Sequence, residues 1–288
     1  MTLHNEDTAP LYQSRVLTKP FAFTAGIEGP ACDREGNVYA VNCERRHTIG
    51  KMTPDGQCEV FLELPDGGVG NAIRFNRAGE MIIADYVHHR LLRVDLRTRE
   101  IRIFAEEPAM TQPNDLAVTG SEIWFASDPD WKRGNGRLWR IGPEGQAALL
   151  EANMGTTNGI EVSADDRTLY VNETVQRRIW SYDLDAHGGI SSKRLLIQFP
   201  DFGLDGMRCD QAGNLYVTRY GEGVVAVVSP HGELLRKVEL HGRNCTNLTF
   251  GGPDGRTCYV TVADTGTIEC FRTEIPGRCW TLWQGEGR

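Results

Sequence analysis

Six residues of this chain share a chemistry and a spacing. Glu28, Asn71, Asn114, Asn158, Asp205 and Asn247 follow one another at intervals of 43, 43, 44, 47 and 42 residues. Each stands at the head of a short apolar run. Asp, Glu and Asn together are under a fifth of the chain, so six out of six at one repeat position is not a product of composition. Two carboxylates and four amides, with no Cys or His among them, form a hard-oxygen donor set. That set suits one divalent cation: Ca²⁺ first, with Mg²⁺ or Mn²⁺ also matched and Zn²⁺ less favoured by ligand softness. Brought together without a cation, Glu28 and Asp205 would repel each other and one would tend to protonate. A ring that only caps strand ends and holds channel water is the plainer alternative, and it leaves two acids poorly compensated.

For residues so far apart to converge, the chain must repeat. A turn followed by an apolar strand recurs at DREGNVYAV (33–41), NRAGEMIIA (76–84), TGSEIWFA (119–126), ADDRTLYV (164–171), DQAGNLYV (210–217) and PDGRTCYV (253–260). Aligned on Val38, Met81, Ile123, Leu169, Leu215 and Cys258, the copies step by 43, 42, 46, 46 and 43 residues. Each unit continues through further short runs separated by Gly, Pro or Asp turns, with no helical period. Four strands per unit of this length, six times over, predict an all-β fold, a six-bladed β-propeller with four-stranded blades. The innermost strands of such a fold surround a central channel, which places the six ring residues around one mouth. The sixth unit lacks an outer run, while SRVLTKPF (14–21) is an outer run with no unit before it. The N-terminal strand is therefore expected to close the last blade and leave no exposed edge. The expected organisation is a flexible tail over residues 1–10 and a single propeller domain over 11–288. The run CWTLWQGEGR (279–288) has no assigned place.

The loops that open on the ring's face are expected to add Asn42, Arg45, His47, Asp85, His88, Asp128, Asn172, Arg219 and Tyr220 to the pocket wall. His47, His88 and His89 receive no catalytic role, since histidines on loops are commonly surface residues. Net charge is −8 over 288 residues, which lacks the basic footprint of nucleic-acid or anionic-membrane binding. No run approaches the 18 or so apolar residues of a membrane span, and Glu6 and Asp7 stand where a signal peptide would be basic and then apolar. A cytoplasmic protein is expected, its eight cysteines mostly reduced; nothing in the sequence speaks to an oligomeric partner. GxSxG, P-loop, HExxH and strand-to-helix GxGxxG motifs are absent, which removes serine hydrolase, NTPase, zinc peptidase and dinucleotide enzyme readings.

Several segments resemble a known family, that of senescence marker protein (regucalcin) and gluconolactonase, with diisopropyl fluorophosphatase and paraoxonase as more distant members. They are EGP (28–30), PND (113–115), the Asn-Gly of TTNGIEVSADDRTLYVNET (156–174), the Asp-Gly of DGMRCDQAGNLYVT (205–218), and FGGPDGRTCYVT (250–261). The resemblance spans nearly the whole chain. It implies a six-bladed propeller whose divalent ion is held by Glu28, Asn158 and Asp205, with Asn114 beside it as a ligand or as a contact to its water and substrate. Spacing alone does not exclude Asn71 or Asn247. The implied reaction is hydrolysis of a small cyclic ester, a lactone, with Asp205 as general base or nucleophile. Asp205 as a ligand only, with Asp128 or hydroxide as base, is the alternative. Gln112, Asn71, Asn114, Asp128 and Arg219 are the candidate substrate contacts. Sugar lactonases of the family often carry Arg where this chain has Gln112, which puts the usual sugar preference in question and leaves the metal chemistry untouched. Asp128-Pro129-Asp130-Trp131 resembles a substrate-side loop of the family; a simple Pro turn explains it equally. A phosphotriesterase-like or other ester hydrolase, and a non-enzymatic metal-binding or ligand-binding propeller, are the competing readings.

Overall fold

A computed structural model describes residues 10–282 and shows six four-stranded antiparallel sheets. The innermost strands, in chain order, are Phe23–Cys32, Gly70–Phe75, Leu116–Val118, Thr157–Val162, Met207–Cys209 and Cys245–Gly251. They define blades 1 to 6. In blades 1 to 5 the three following strands pair outward in sequence order. The six-bladed propeller expected from the repeat is the fold observed.

The pattern of side chains explains the layering. Each second strand lies between neighbouring blades and is covered on both faces, so it reads as a continuous apolar run in place of an alternating one. VYAVNC (Val38–Cys43) is buried throughout, whereas the outermost LLRKVE of blade 5 (Leu234–Glu239) is exposed at five of its six positions. Turns between the first two strands are tied by their own side chains. Asp33 accepts from the Asn37 N–H at 2.8 Å, Asn76 from Glu80 at 2.8 Å, and Asp210 from Asn214 at 2.9 Å. The Gly in each of these turns has positive φ, a conformation that L side chains rarely adopt.

Blade 6 combines strands from both ends of the chain. Arg15–Val16 pairs with Thr267–Arg272, in the register Arg15 to Cys270 and Val16 to Glu269. Ser14 donates to the buried Glu269 carboxylate at 2.6 Å, and the Ile268 N–H donates to Thr18 Oγ1 at 2.9 Å. A sheet edge that would otherwise stand open is thereby covered. At the other end of the axis from the ring, a short helix, Arg278–Leu282, lies against the ends of innermost strands. Arg278 donates to the Val118 carbonyl at 2.9 Å and pairs with Glu161 at 3.5 Å, while the Cys279 thiol points at the Phe250 carbonyl, 3.7 Å away. The described start of the segment with no place in the sequence reading, residues 279–282, thus continues a helix whose first residue, Arg278, reaches blades 3 and 4, while Cys279 reaches blade 6. The tail expected over residues 1–10 falls outside the described residues except for Pro10, as do positions 283–288. Among the described residues no helix is long and apolar enough to cross a membrane.

Deleting residues 1–18 should bare the Thr267–Arg272 edge and strip Glu269 of the Ser14 hydroxyl. The expected outcome is a melting temperature lower by about 5 °C or more, with self-association through the open edge, read by thermal unfolding and size-exclusion chromatography. An unchanged melting temperature would show that blade 6 does not depend on that strand.

Candidate active site

Glu28, Asn71, Asn114, Asn158 and Asp205 line one cavity of about 380 Å³ at the channel mouth, together with Trp131, Thr174, Tyr220, Thr246 and others. Five of the six ring residues thus converge. Glycine explains how three of the strands come close enough. Glu28, Asn158 and Asp205 are each followed by Gly, and a Cβ on that Gly would strike the next blade. At Gly29 it would lie 2.3 Å from the Asn71 carbonyl oxygen, at Gly159 2.4 Å from that of Asp205, and at Gly206 2.0 Å from the Asn247 side chain. In this setting the Asn-Gly and Asp-Gly pairs are points of close approach between strands and not turn signals.

The sixth ring residue is spent on another task. Asn247 is fully buried, donates to Glu28 Oε1 at 2.7 Å, and accepts from the Leu248 N–H at 2.9 Å. It orients a carboxylate. By contrast, the amide of Asn158 donates to Thr174 Oγ1 at 3.1 Å and leaves its Oδ1 buried with no partner; the Oδ1 of Asn114 is likewise buried and unpartnered. An unsatisfied buried acceptor costs about 1–3 kcal/mol unless something fills the vacancy.

Charge makes the same demand. Burial raises the pKa of Glu28 to about 7, against hydrogen bonds from Asn247 and Thr246 that lower it. Asp205 is driven well above the ordinary carboxylate range, first by burial and then by the charge of Glu28. Two acids that resist ionisation, beside two orphaned amide oxygens, fit a hard divalent cation held by Glu28, Asn158, Asp205 and Asn114. Among the described residues no group of three or more His, Cys, Asp or Glu side chains is placed to hold a metal ion by itself, so any such ion would depend on the amide oxygens.

Below the ring lies a buried ionic cluster that sequence reasoning missed. Asp115, next to Asn114, is fully buried between Arg74 of blade 2 at 2.6 Å and Arg208 of blade 5 at 3.1 Å. Burial works to raise its pKa, yet the two guanidiniums outweigh burial and hold Asp115 below the usual range. The cluster fixes the loop that carries Asn114 to two other blades. Arg74, Glu161 and Arg208 each stand three residues after a ring residue, which a two-residue strand period assigns to the opposite face. In blades 2 and 4 a bulge between Gly70 and Ile73, and between Thr157 and Ile160, shifts that parity. The regular three-residue offset from the ring was the one available signal.

Two expected substrate contacts sit elsewhere. Asp128 is 1% exposed: its carboxylate accepts from the backbone N–H groups of Thr111 and Gln112 at 2.8 and 2.6 Å and from the Trp139 indole at 2.9 Å. Arg219 is also 1% exposed, bonded to Asp201 and Glu222 and stacked on the Phe199 ring at 4.0 Å. Both anchor loops and do not line the cavity. Asn42, Asp85 and Asn172 do similar work, holding the Gly26 carbonyl, the Val69 N–H and the Asp205 carbonyl. Arg45 pairs with Glu63 on the surface, His47 is bound to the Gly68 carbonyl, and His88 leans on Asp85. Gln112 lines a side cavity with Asn71, Tyr86, Asn114 and Trp131. Of the loop residues expected in the wall of the ring cavity, Tyr220 is in it, and Trp131 and Thr174 join it, while Tyr86 lines the side cavity.

The fold and the site thus define the chain as a six-bladed propeller with an acid and amide ring at one mouth of its axis. Residues 7–264 match the family described as SMP-30/Gluconolactonase/LRE-like region, and the chain belongs to that family. It is similar to a gluconolactonase of Zymomonas mobilis, 27% identical over 272 residues, covering 82% of this chain and 76% of the relative. It is also similar to a pentonolactonase of Haloferax volcanii, 30% identical over 243 residues, covering 82% and 81%. Among solved structures, a calcium-binding regucalcin from Agrobacterium tumefaciens superposes with a TM-score of 0.80 at 24% identity, covering 92% of this chain and 95% of that one, and shares the fold.

The raised proton affinity of Glu28 gives a signed prediction. In the metal-free protein this side chain holds a proton that the unfolded chain, with its value near 4.5, releases earlier. Its stabilising contribution is complete below that value and lost as pH rises through about 7. Chelated protein should therefore lose melting temperature from about pH 5 to pH 8, and a saturating divalent cation should restore it with release of protons, measured by calorimetry in two buffers. Glu28→Gln should flatten both responses; an unaltered profile in that variant would show that another group titrates.

Proposed function

We propose that this protein is a divalent-cation-dependent lactonase that opens sugar-acid lactones. The observation that carries the reading is the convergence of two proton-retaining carboxylates and two unpartnered amide oxygens on one open cavity. Family membership and the gluconolactonase and pentonolactonase relatives support it. Glu28, Asn158, Asp205 and Asn114 would hold the ion, for which Ca²⁺ is the first choice by donor type. When bound, it supplies Lewis-acid polarisation of the ester carbonyl and stabilises the developing oxyanion.

The rest of the chemistry belongs to the chain. Asp205, which a bound cation would keep ionised, accepts the proton of the attacking water. The water oxygen bonds to the carbonyl carbon, the ring C–O bond breaks, and the departing oxygen takes a proton to become a hydroxyl, leaving a hydroxy acid. Asn71 and Asn114 present amides to the substrate. Asp128, through the backbone of residues 111 and 112, keeps that side of the cavity in place. None of the eight cysteines is in a disulfide, which suits a reducing compartment and favours the cytoplasm.

The test is to strip the protein with a chelator, add back Ca²⁺, Zn²⁺, Mn²⁺ and Mg²⁺ separately, and follow acid release from a panel of aldonolactones. Turnover should vanish on stripping and return with one or more ions. Asp205→Asn and Glu28→Gln should each lower kcat/KM by about a thousandfold or more while the far-ultraviolet spectrum stays β-rich. Full activity of stripped protein, or of either variant, would refute the assignment, and turnover of esters or phosphotriesters in preference to lactones would redirect it.

A further inference from the structure

Two of the six innermost strands are short. Leu116–Val118 of blade 3 and Met207–Cys209 of blade 5 have three residues each, whereas the other four have six to ten. Leu116–Val118 directly follows Asn114 and Asp115, and as an innermost strand it has a ladder along one edge only, to Trp124–Asp130. Three paired residues are a slender hold for a strand that must keep a ligand in place.

Side chains supply the rest. At the ring end Asp115 is gripped by Arg74 and Arg208. At the far end the Val118 carbonyl accepts from Arg278 at 2.9 Å. The same guanidinium pairs with Glu161 of blade 4 and with Asp166 in the turn that follows it. Asp166 accepts in turn from the Gly120 N–H at 2.7 Å. Val118 and Gly120 flank Thr119, so the end of this strand is bound twice, once to Arg278 directly and once through Asp166.

Arg278 is itself held firmly. It is 2% exposed, and the Gly277 N–H before it donates to the Gly255 carbonyl at 2.9 Å, while the Gln211 N–H donates to the Pro276 carbonyl at 3.0 Å. Trp280 lies so close over Gly255 that a Cβ there would come within 2.5 Å of its ring. Leu282 packs against the buried clusters that join blade 2 to blades 1 and 3. The helix that presents Arg278 stands beyond residues 7–264, the part of the chain that matches the family.

We propose that Arg278 is a positioning residue for the cation site: from the opposite end of the axis it clamps the strand that follows Asn114, and so holds the Asn114 amide where a cation needs it. It touches neither ion nor substrate. The inference rests on the cation reading for Asn114, and on the hydrogen bonds of Val118 and Gly120 for its mechanism. Serving a carbonyl and two carboxylates at once is a task for a guanidinium fork and not for a single ammonium.

The experiment compares wild type, Arg278→Met and Ser14→Ala, the last a variant that loosens blade 6 without touching blade 3. Chelated protein is titrated calorimetrically with Ca²⁺, Mg²⁺, Mn²⁺ and Zn²⁺ in turn. For the tightest-bound ion, Arg278→Met should weaken Kd by about tenfold, the loss expected when an outer support of a metal ligand is removed. Ser14→Ala should lower the melting temperature and keep the wild-type Kd. Amide hydrogen exchange of metal-free protein reads the clamp with no ion present: residues 114–118 should exchange about tenfold faster in Arg278→Met, with Phe23–Cys32 unchanged. If the Met variant does not fold, Arg278→Lys, which keeps a charge opposite Glu161 and loses the fork, is read in the same way, with changes of about threefold expected. Wild-type Kd and exchange in a folded Arg278 variant, or an equal weakening in Ser14→Ala, would overturn the proposal. If wild type binds no divalent cation, the cation reading falls, and exchange at residues 114–118 decides separately whether Arg278 clamps the strand.

Discussion

Placing two carboxylates at one end of a narrow axis creates a conflict that the surrounding structure is arranged to hold and not to relieve. Glu28 is buried and Asp205 half-buried at the channel mouth, and each charge opposes the other. In water such a pair would separate or solvate. Here the glycines after them press their strands against neighbouring blades, so neither can retreat. Asn247 fixes the direction of Glu28, and Asn172 holds the backbone of Asp205 through its carbonyl. The placement of the two acids is thus a property of strand packing, distributed over five blades.

The ionic layer beneath the ring is oriented by the same logic. Arg74 and Arg208 compensate Asp115, and Arg278 faces Glu161 and Asp166 from the helix across the far end. Buried pairs of this kind are poor sources of net stability, since desolvation offsets much of their attraction. Their geometry is what matters here. Asp115 gathers groups from blades 2 and 5 onto the strand of blade 3, so the position of Asn114 depends on residues on separate arms of the propeller.

Much of this was legible in the sequence, because a propeller repeats and repetition survives drift. The blade number, the closing strand Arg15–Val16 and the ring residues all follow from period and type. What could not be read were the roles of single side chains at the ends of second strands. Asp128 and Arg219 stand on the ring's face in sequence register, and polar loop residues there suggest a pocket wall. Whether such a side chain turns toward the axis or back toward its own loop depends on unpaired backbone N–H and C=O groups nearby, which no spacing reveals. Asp128 found two such N–H groups and Arg219 a carbonyl. Trp131, set by the resemblance on a substrate-side loop with a plain Pro turn as the alternative, lines a wall shared by two cavities. Arg74 stayed hidden because a bulge alters the strand parity on which a sequence reading relies.

The closing contact of blade 6 also shapes how the molecule is made. Ser14 and Glu269 are separated by 255 positions in the sequence, and the hydrogen bond between them joins the first blade-forming strand to the last. Contacts of such separation carry a large loop-closure entropy and form late. Five blades can assemble from neighbouring segments, each hairpin growing on the one before it, while the circle itself stays open until strands from opposite ends of the chain meet. Until then the axis has no complete circumference, and the acids at its mouth remain in contact with water. Circularisation is therefore the step at which the two acids first face each other across a closed axis, and the folding order separates the synthesis of the parts from the appearance of the site.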